Sequence, residues 1–185
     1  TSQLLGLRYH SQLTRLIPRE DISKLGTYLK RRVKMVNSNA QIIIAGSYRR
    51  GKDRCGDVDV IVTDPDVVTA EHATRVSLLP DFVGDLEDRG IAIERISLGP
   101  TKYMGIFKWP RNTSKLAKVD IRFIPRESYV AALMYFTGSR ENNVEMRKKA
   151  HKMGMKLNEY GLFKGSERIL FESEKDLYSL LGLTY

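Results

Sequence analysis

Residues 41–62 read Gln-Ile-Ile-Ile-Ala-Gly-Ser-Tyr-Arg-Arg-Gly-Lys-Asp-Arg-Cys-Gly-Asp-Val-Asp-Val-Ile-Val. Two apolar runs bracket a connection rich in Gly, Ser and Arg, and the second run opens with carboxylates on alternate positions. Side chains alternate between the faces of a strand, so Asp57 and Asp59 point the same way while Val58, Val60 and Val62 enter a core. Carboxylates so arranged can share divalent cations, and the Gly-Ser-Arg connection can approach phosphate. Together they form the skeleton of a two-metal nucleotidyl-transfer site.

The remaining pattern alternates helix and strand. After Pro18, the stripe Ile22, Leu25, Leu29, Val33 and Val36 predicts a helix ending at Asn37-Ser38-Asn39. Strands are expected at 41–45 and 57–63, the second closed by Asp64-Pro65. Residues 69–88 read as helical with an interruption at Pro80. Three further strands are expected at 91–96, 102–108 and 116–124, the first two joined by a Ser97-Leu98-Gly99-Pro100 turn. This is an α/β (α+β) arrangement: helices against a mixed five-stranded sheet. At Pro125 the pattern changes to two helices, 127–137 and 139–153, broken at Gly138, followed by a hairpin within 155–172 and a last helix, 174–181. The division predicts one subdomain over residues 1–125 and a smaller helical and hairpin one over 126–185.

Composition narrows the partners. The 185 residues are 42% hydrophobic, with a net charge of +9, and the basic side chains cluster at 30–32, 49–52 and 147–149. That balance favours a polyanion, nucleic acid ahead of an anionic membrane, because no amphipathic terminal helix with aromatic anchors is evident. No apolar run of membrane length and no secretory leader are seen, and the chain opens on Thr1, which reads as a soluble segment of a longer protein. The lone Cys55 excludes an internal disulfide, and His10, His72 and His151 fall at no zinc-binding spacing.

Other residues converge on the same chemistry. Asp120 lies in a strand whose Val119, Ile121 and Phe123 share the opposite face; if it pairs beside the Asp57 strand, three carboxylates meet. Such a group repels itself unless cations are bound, and oxygen ligands suit Mg²⁺, with Mn²⁺ as a substitute. A lone Asp in these places is ordinarily a surface residue or a salt-bridge partner; the three together with Gly46-Ser47 are not. Arg49, Arg50 and Lys52 offer cations to a triphosphate. In the second subdomain, Asn143 and Arg147 share a helix face, suited to reading a base edge and stacking on a base or to a hydrogen-bonded surface pair.

Gly46-Ser47-Tyr48-Arg49-Arg50-Gly51-Lys52, Cys55-Gly56-Asp57-Val58-Asp59-Val60, Tyr135-Phe136-Thr137-Gly138-Ser139 and Glu174-Lys175-Asp176-Leu177, in this order, resemble the palm and thumb signatures of the family X DNA polymerases. The resemblance implies a nucleotidyltransferase palm over 1–125 and a thumb over 126–185. It also implies a repair-type DNA-directed DNA polymerase, adding dNMPs to a primer 3′-hydroxyl in short-gap filling during base excision repair or end joining. Asp57 and Asp59 would hold both metals and Asp120 would complete the catalytic one. Ser47, Arg50 and Gly56 would contact the triphosphate; Tyr135, Phe136 and Gly138 would lie against the sugar and exclude a ribose 2′-hydroxyl. Asn143 would touch the minor-groove edge of the incoming base, and Arg147 and Lys148 would face DNA. Gapped or primer-template DNA and dNTP are the implied partners, and the nucleus the implied location. The lyase domain and most of the fingers are absent from this segment, and contacts with other repair proteins would run through such N-terminal regions.

The departures are equally specific. Leu16 stands where family members commonly carry a basic residue before Ile17-Pro18-Arg19-Glu20, with Arg15 one position off. Tyr135-Phe136 and Gly56-Asp57 replace the Gly-Trp and His-Asp of terminal transferase and polymerase mu. The rival readings are another nucleotidyltransferase, such as an RNA-tailing or template-independent enzyme, and a non-catalytic DNA end-binding module.

Overall fold

The computed structural model describes residues 2–185, with the side chains at 2, 5, 6, 112 and 113 excepted. In chain order the elements are α1 (Ser2–Leu13), β1 (Ile17–Pro18), α2 (Arg19–Val36), β2 (Gln41–Ile44), α3 (Gly46–Arg49), β3 (Arg54–Cys55), β4 (Val58–Thr63), α4 (Ala70–Arg75), α5 (Leu78–Asp88), β5 (Ala92–Leu98), β6 (Lys102–Trp109) and β7 (Asn112–Phe123). After a 3₁₀ turn at Arg126–Ser128 come α6 (Tyr129–Thr137), α7 (Arg140–Lys152), β8 (Lys156–Asn158), β9 (Gly161–Lys164), β10 (Glu167–Ile169) and α8 (Glu174–Leu180).

Five strands form one sheet in the order β2-β4-β7-β6-β5, parallel between β4 and β7 and antiparallel elsewhere. The mixed five-stranded sheet is therefore the one the alternation predicts. One face is covered by α2 and α5: Ile22, Leu25, Leu29, Val33, Phe82, Val83 and Leu86 pack with Val58, Val60, Val62, Val119, Ile121 and Phe123 in a single core. Each such aliphatic side chain, removed from water, contributes ~1.5–3 kcal/mol. A bidentate ion pair, Arg32 Nε and Nη2 to Asp85 Oδ2 and Oδ1 at 3.0 and 2.7 Å, ties α2 to α5. Arg32 thus serves the fold, and the basic cluster at 30–32 is not wholly free for a polyanion.

The opposite face carries the other parity of each strand. Ile61 packs there with Ala45 and Leu133, the last from α6, so the second subdomain lies over the face to which Asp59 and Asp120 belong. That subdomain has its own core of Met134, Met146, Ala150, Leu157, Leu162, Leu177 and Leu181.

Several boundaries differ from expectation, each for a local reason. Pro80 does not interrupt a helix: it is the third residue of α5, where its missing N–H has no intrahelical partner to lose. The break falls instead at Val76, extended at φ −88° and ψ 145°. Ser97 and Leu98 belong to β5, which leaves Gly99-Pro100-Thr101 as the connection, closed by Gly99 N–H donating to Lys102 O at 2.8 Å. Residues 155–172 hold three antiparallel strands rather than two, with Gly165 at φ 62° turning β9 into β10. The helix α1, for which the sequence carries no clear stripe, lies against β7 and is tethered by Tyr9 Oη donating to Glu94 Oε1 at 3.0 Å. Among the described residues no helix is long and apolar enough to cross a membrane.

Candidate active site

The site begins with the parallel pairing of β4 and β7. Their register sets Asp59 opposite Asp120, with Val58 opposite Val119 and Val60 opposite Ile121 in the core. Neighbouring strands lie roughly 4.8 Å apart, so the two carboxylates leave the same face side by side. Asp57 lies one residue before β4, exposed, and reaches the same cavity as Asp59.

Gly46 is the counterpart on the neighbouring connection. Its φ of +58° is left-handed, and a Cβ there would overlap Asp59 Oδ2. Ala45 N–H donates to Asp59 O at 2.8 Å, which fixes the end of β2 and the start of α3 against the carboxylate strand. Glycine is thus required at 46 by both backbone angle and space, while Ser47 follows it into the short helix α3.

A cavity of about 420 Å³ opens between the subdomains, lined by Gly46, Ser47, Arg50, Asp57 and Asp59 on one side and by Tyr135, Phe136, Gly138, Arg140, Asn143 and Arg147 on the other. Most of the residues singled out from sequence converge here. Asp120 reaches the site through its register with Asp59 rather than by lining the cavity. Gly56 and Lys148 do not line it. A Cβ at Gly56 would meet nothing within 4 Å and its backbone is not left-handed, so the bend of the chain there does not require glycine. Lys148 projects from the exposed side of α7 and pairs with Glu145 at 3.4 Å.

Electrostatics mark the carboxylates as the strained part of the site. Burial, reinforced by the charges of Asp57 and Asp120, pushes the Asp59 carboxyl up to about 7. Burial likewise raises Asp120, against the opposing charge of Lys118. Asp120 Oδ1 is buried without a hydrogen-bond partner among the described residues. A buried, unpartnered carboxylate oxygen is costly unless a cation or donor meets it. Among the described residues no three His, Cys, Asp or Glu side chains are drawn together as a finished metal cage.

The wall formed by α6 and α7 is pre-ordered. Asn143 Nδ2 donates to Tyr135 O at 2.8 Å, and the Tyr135 and Phe136 rings meet edge to face at 5.0 Å. Arg122 on β7 stacks over Phe136 at 5.1 Å, and its charge lowers both Asp59 and Asp120. Neither Arg122 nor Arg140 was marked by sequence reasoning. The Arg122 signal was available, since it is two residues beyond Asp120 and must share its face.

Comparison with known proteins decides the family. Residues 16–126 match the DNA polymerase beta palm and residues 132–185 the DNA polymerase beta thumb. The chain belongs to the DNA polymerase beta family, family X. It is 32% identical to DNA polymerase lambda of Rattus norvegicus over 198 residues, spanning 99% of this chain and 34% of the relative. With DNA polymerase lambda of Arabidopsis thaliana it shares 27% identity over 206 residues, 100% of this chain and 38% of the relative. It superposes on Leishmania infantum polymerase beta, solved as a ternary gap complex, with a TM-score of 0.92 at 30% identity, covering 99% of this chain and 72% of that one. The chain spans a little over a third of the curated lambda polymerases it matches.

In this family X chain, two adjacent arginines join the palm match to the thumb match. Arg50 Nη1 donates to Thr137 O at 2.6 Å; Arg49 donates through Nη1 to Thr137 Oγ1 at 3.0 Å and pairs through Nη2 with Glu174 Oε1 at 2.6 Å. A Cβ at Gly138, φ +72°, would stand 3.1 Å from Arg50 Nη1. The Gly-Ser-Tyr-Arg-Arg connection therefore presents Ser47 and Arg50 to the cavity and holds the opposite wall at the same time.

Proposed function

We propose that this chain is the catalytic core of a template-directed, gap-filling DNA polymerase that adds dNMPs to a primer 3′-hydroxyl. The observation that carries the reading is the in-register pairing of Asp59 with Asp120 beside Asp57, facing a cavity whose other walls supply Ser47, Arg50 and the aromatic pair. Residues 1–125 are read as the palm and 126–185 as the thumb.

The donor set fits Mg²⁺ or Mn²⁺. It is all oxygen, its members repel one another, the Asp59 carboxyl is raised to about 7, and Asp120 Oδ1 lacks a partner among the described residues. Asp57 and Asp59 would hold both ions and Asp120 would share the one nearer the primer. Bound there, such ions neutralise charge on the triphosphate and on the attacking oxygen.

The protein's own groups do the rest. Ser47 and the unused donors of Arg50 would hold the triphosphate, and Tyr135, Phe136 and Gly138 the sugar, with the thumb-side backbone excluding a 2′-hydroxyl. Asn143, its amide N–H already spent on Tyr135 O, has its oxygen and second N–H for the minor-groove edge of the base. Arg147 would pack on the templating base. The primer 3′-oxygen bonds the α-phosphorus, the α–β bridging bond breaks, pyrophosphate leaves, and the hydroxyl proton passes to the Asp120 carboxylate.

The partners in this reading are gapped DNA and dNTP, in base excision repair or end joining, and the location is the nucleus. Primer extension on one-nucleotide-gapped DNA with Mg²⁺ or Mn²⁺ tests it. Templated addition supports the reading; preference for ATP or for untemplated tailing favours another nucleotidyltransferase; binding of DNA ends without any addition favours a non-catalytic module.

A further inference from the structure

Arg140 is the first residue of α7 and lines the cavity that also holds Asp57 and Asp59. It shares a helix face with the other two cavity-lining residues of α7, Asn143 and Arg147, at positions i, i+3 and i+7. Three features make this placement informative. Arg140 enters none of the ion pairs found among the described residues. A cation at a helix N-terminus opposes the helix dipole, so its position does not stabilise α7. The adjacent acid, Glu141, forms no ion pair with it: hydrogen bonds from its own amide and from Ser139 are the first causes that hold its carboxyl below the ordinary range, with the charges of Arg140 and Arg50 adding to them.

Its position along the cavity indicates what it meets. A Cβ at Gly138 would lie 3.1 Å from Arg50 Nη1 and 3.4 Å from the Arg140 backbone nitrogen, so Arg50 and the start of α7 flank one point. Asn143 and Arg147 follow one and two turns further along the helix. Arg140 therefore occupies the Arg50 end of the thumb wall, across from the Gly46-Ser47 connection. Arg140 and Arg50 line one cavity, Arg140 outside every ion pair found among the described residues, and two guanidinium groups on one cavity suit a multiply charged anion.

We propose that Arg140 is a further nucleotide-binding residue, holding the phosphate chain of the incoming dNTP from the thumb side. This rests on the polymerase reading above and adds to it a residue whose contribution is to nucleotide affinity rather than to chemistry.

The test is an equilibrium titration of the protein bound to gapped DNA with a non-hydrolysable dNTP analogue, alongside extension kinetics, for wild type, Arg140→Lys, Arg140→Ala and Arg140→Asp. Arg140→Ala should weaken nucleotide binding and raise KM by roughly 5–20-fold, with kcat changed by less than about threefold. Arg140→Asp should weaken it further, and Arg140→Lys should return to within about threefold of wild type. The loss should be the same for all four bases, because phosphate is common to them. Affinities within about twofold of wild type for both Ala and Asp variants, or a loss confined to one base, would overturn the proposal. If the wild-type protein extends no primer, the polymerase reading fails, and the titration still decides whether Arg140 binds nucleotide.

Discussion

Asp59 and Asp120 face each other across two parallel strands, although 61 positions separate them in the chain. Strand pairing brings them together, while Gly46 closes in behind Asp59 so tightly that no Cβ fits.

Removing Asp120 should stop chemistry and spare the fold. It is a partly buried strand residue whose Oδ1 has no partner to lose among the described residues, so Asp120→Ala should leave the melting temperature within a few degrees of wild type. Extension should fall by ~10³-fold or more. Extension within about tenfold of wild type would remove Asp120 from the mechanism.

Asp59 should make the metal-free protein more stable in acid. Its carboxyl titrates near 3.8 when unfolded and at about 7 when folded, so between these pH values the folded state holds the extra proton. Stability from this group is therefore present at low pH and is lost as pH rises towards 7. Allowing for solvent screening, the loss is ~2 kcal/mol, or roughly 4–8 °C in melting temperature for a chain of this size. Asp59→Asn should flatten the profile, and Mg²⁺ should stabilise the wild type more at pH 8 than at pH 5, because binding at pH 5 must displace a proton. A wild-type protein whose stability rises steadily from pH 4 to 7, with Asp59→Asn unchanged in that respect, would contradict this.

Two glycines with left-handed backbones separate space from conformation. Gly46→Ala forces a Cβ onto Asp59 Oδ2 and should reduce extension at least ~100-fold; Gly51, at φ +84° with nothing within 4 Å, should lose only ~1 kcal/mol of stability on substitution by Ala. Equal activity of the two variants would show that Gly46 does not hold the carboxylate in place.

Much of this arrangement is legible in the sequence because strands report their faces directly. Val58, Val60 and Val62, and Val119, Ile121 and Phe123, alternate with aspartates, and the core takes one parity while the cavity takes the other. What was not legible depends on distance or on local context. Pro80 reads as a breaker in isolation, yet it is harmless in a first turn. Arg140 reads as one more basic residue in a chain of net charge +9, and only the cavity distinguishes it from surface arginines. The Arg49–Glu174 pair spans 125 positions and has no local signal.

That pair should couple the two subdomains energetically. Its side chains are 31% and 13% exposed, enough shielding for more than a surface pair's usual worth. Arg49→Ala and Glu174→Gln should each lower the melting temperature, and the double variant should lose ~1 kcal/mol less than the sum of the two. Strict additivity would mean that the pair contributes nothing.

Templated nucleotidyl transfer at the Asp57, Asp59 and Asp120 carboxylates is tested by single-turnover insertion on one-nucleotide-gapped DNA carrying each of the four template bases in turn. The connection between β5 and β6 is only Gly99-Pro100-Thr101, too short to stand in for a template strand, and Arg147 lines the cavity where a templating base would pack. The complementary dNTP should be inserted opposite each base in Mg²⁺, a single-stranded primer should be extended poorly, and Asp120→Ala should abolish insertion. Vigorous addition to single-stranded DNA without regard to template, or templated insertion that survives Asp120→Ala, would contradict it.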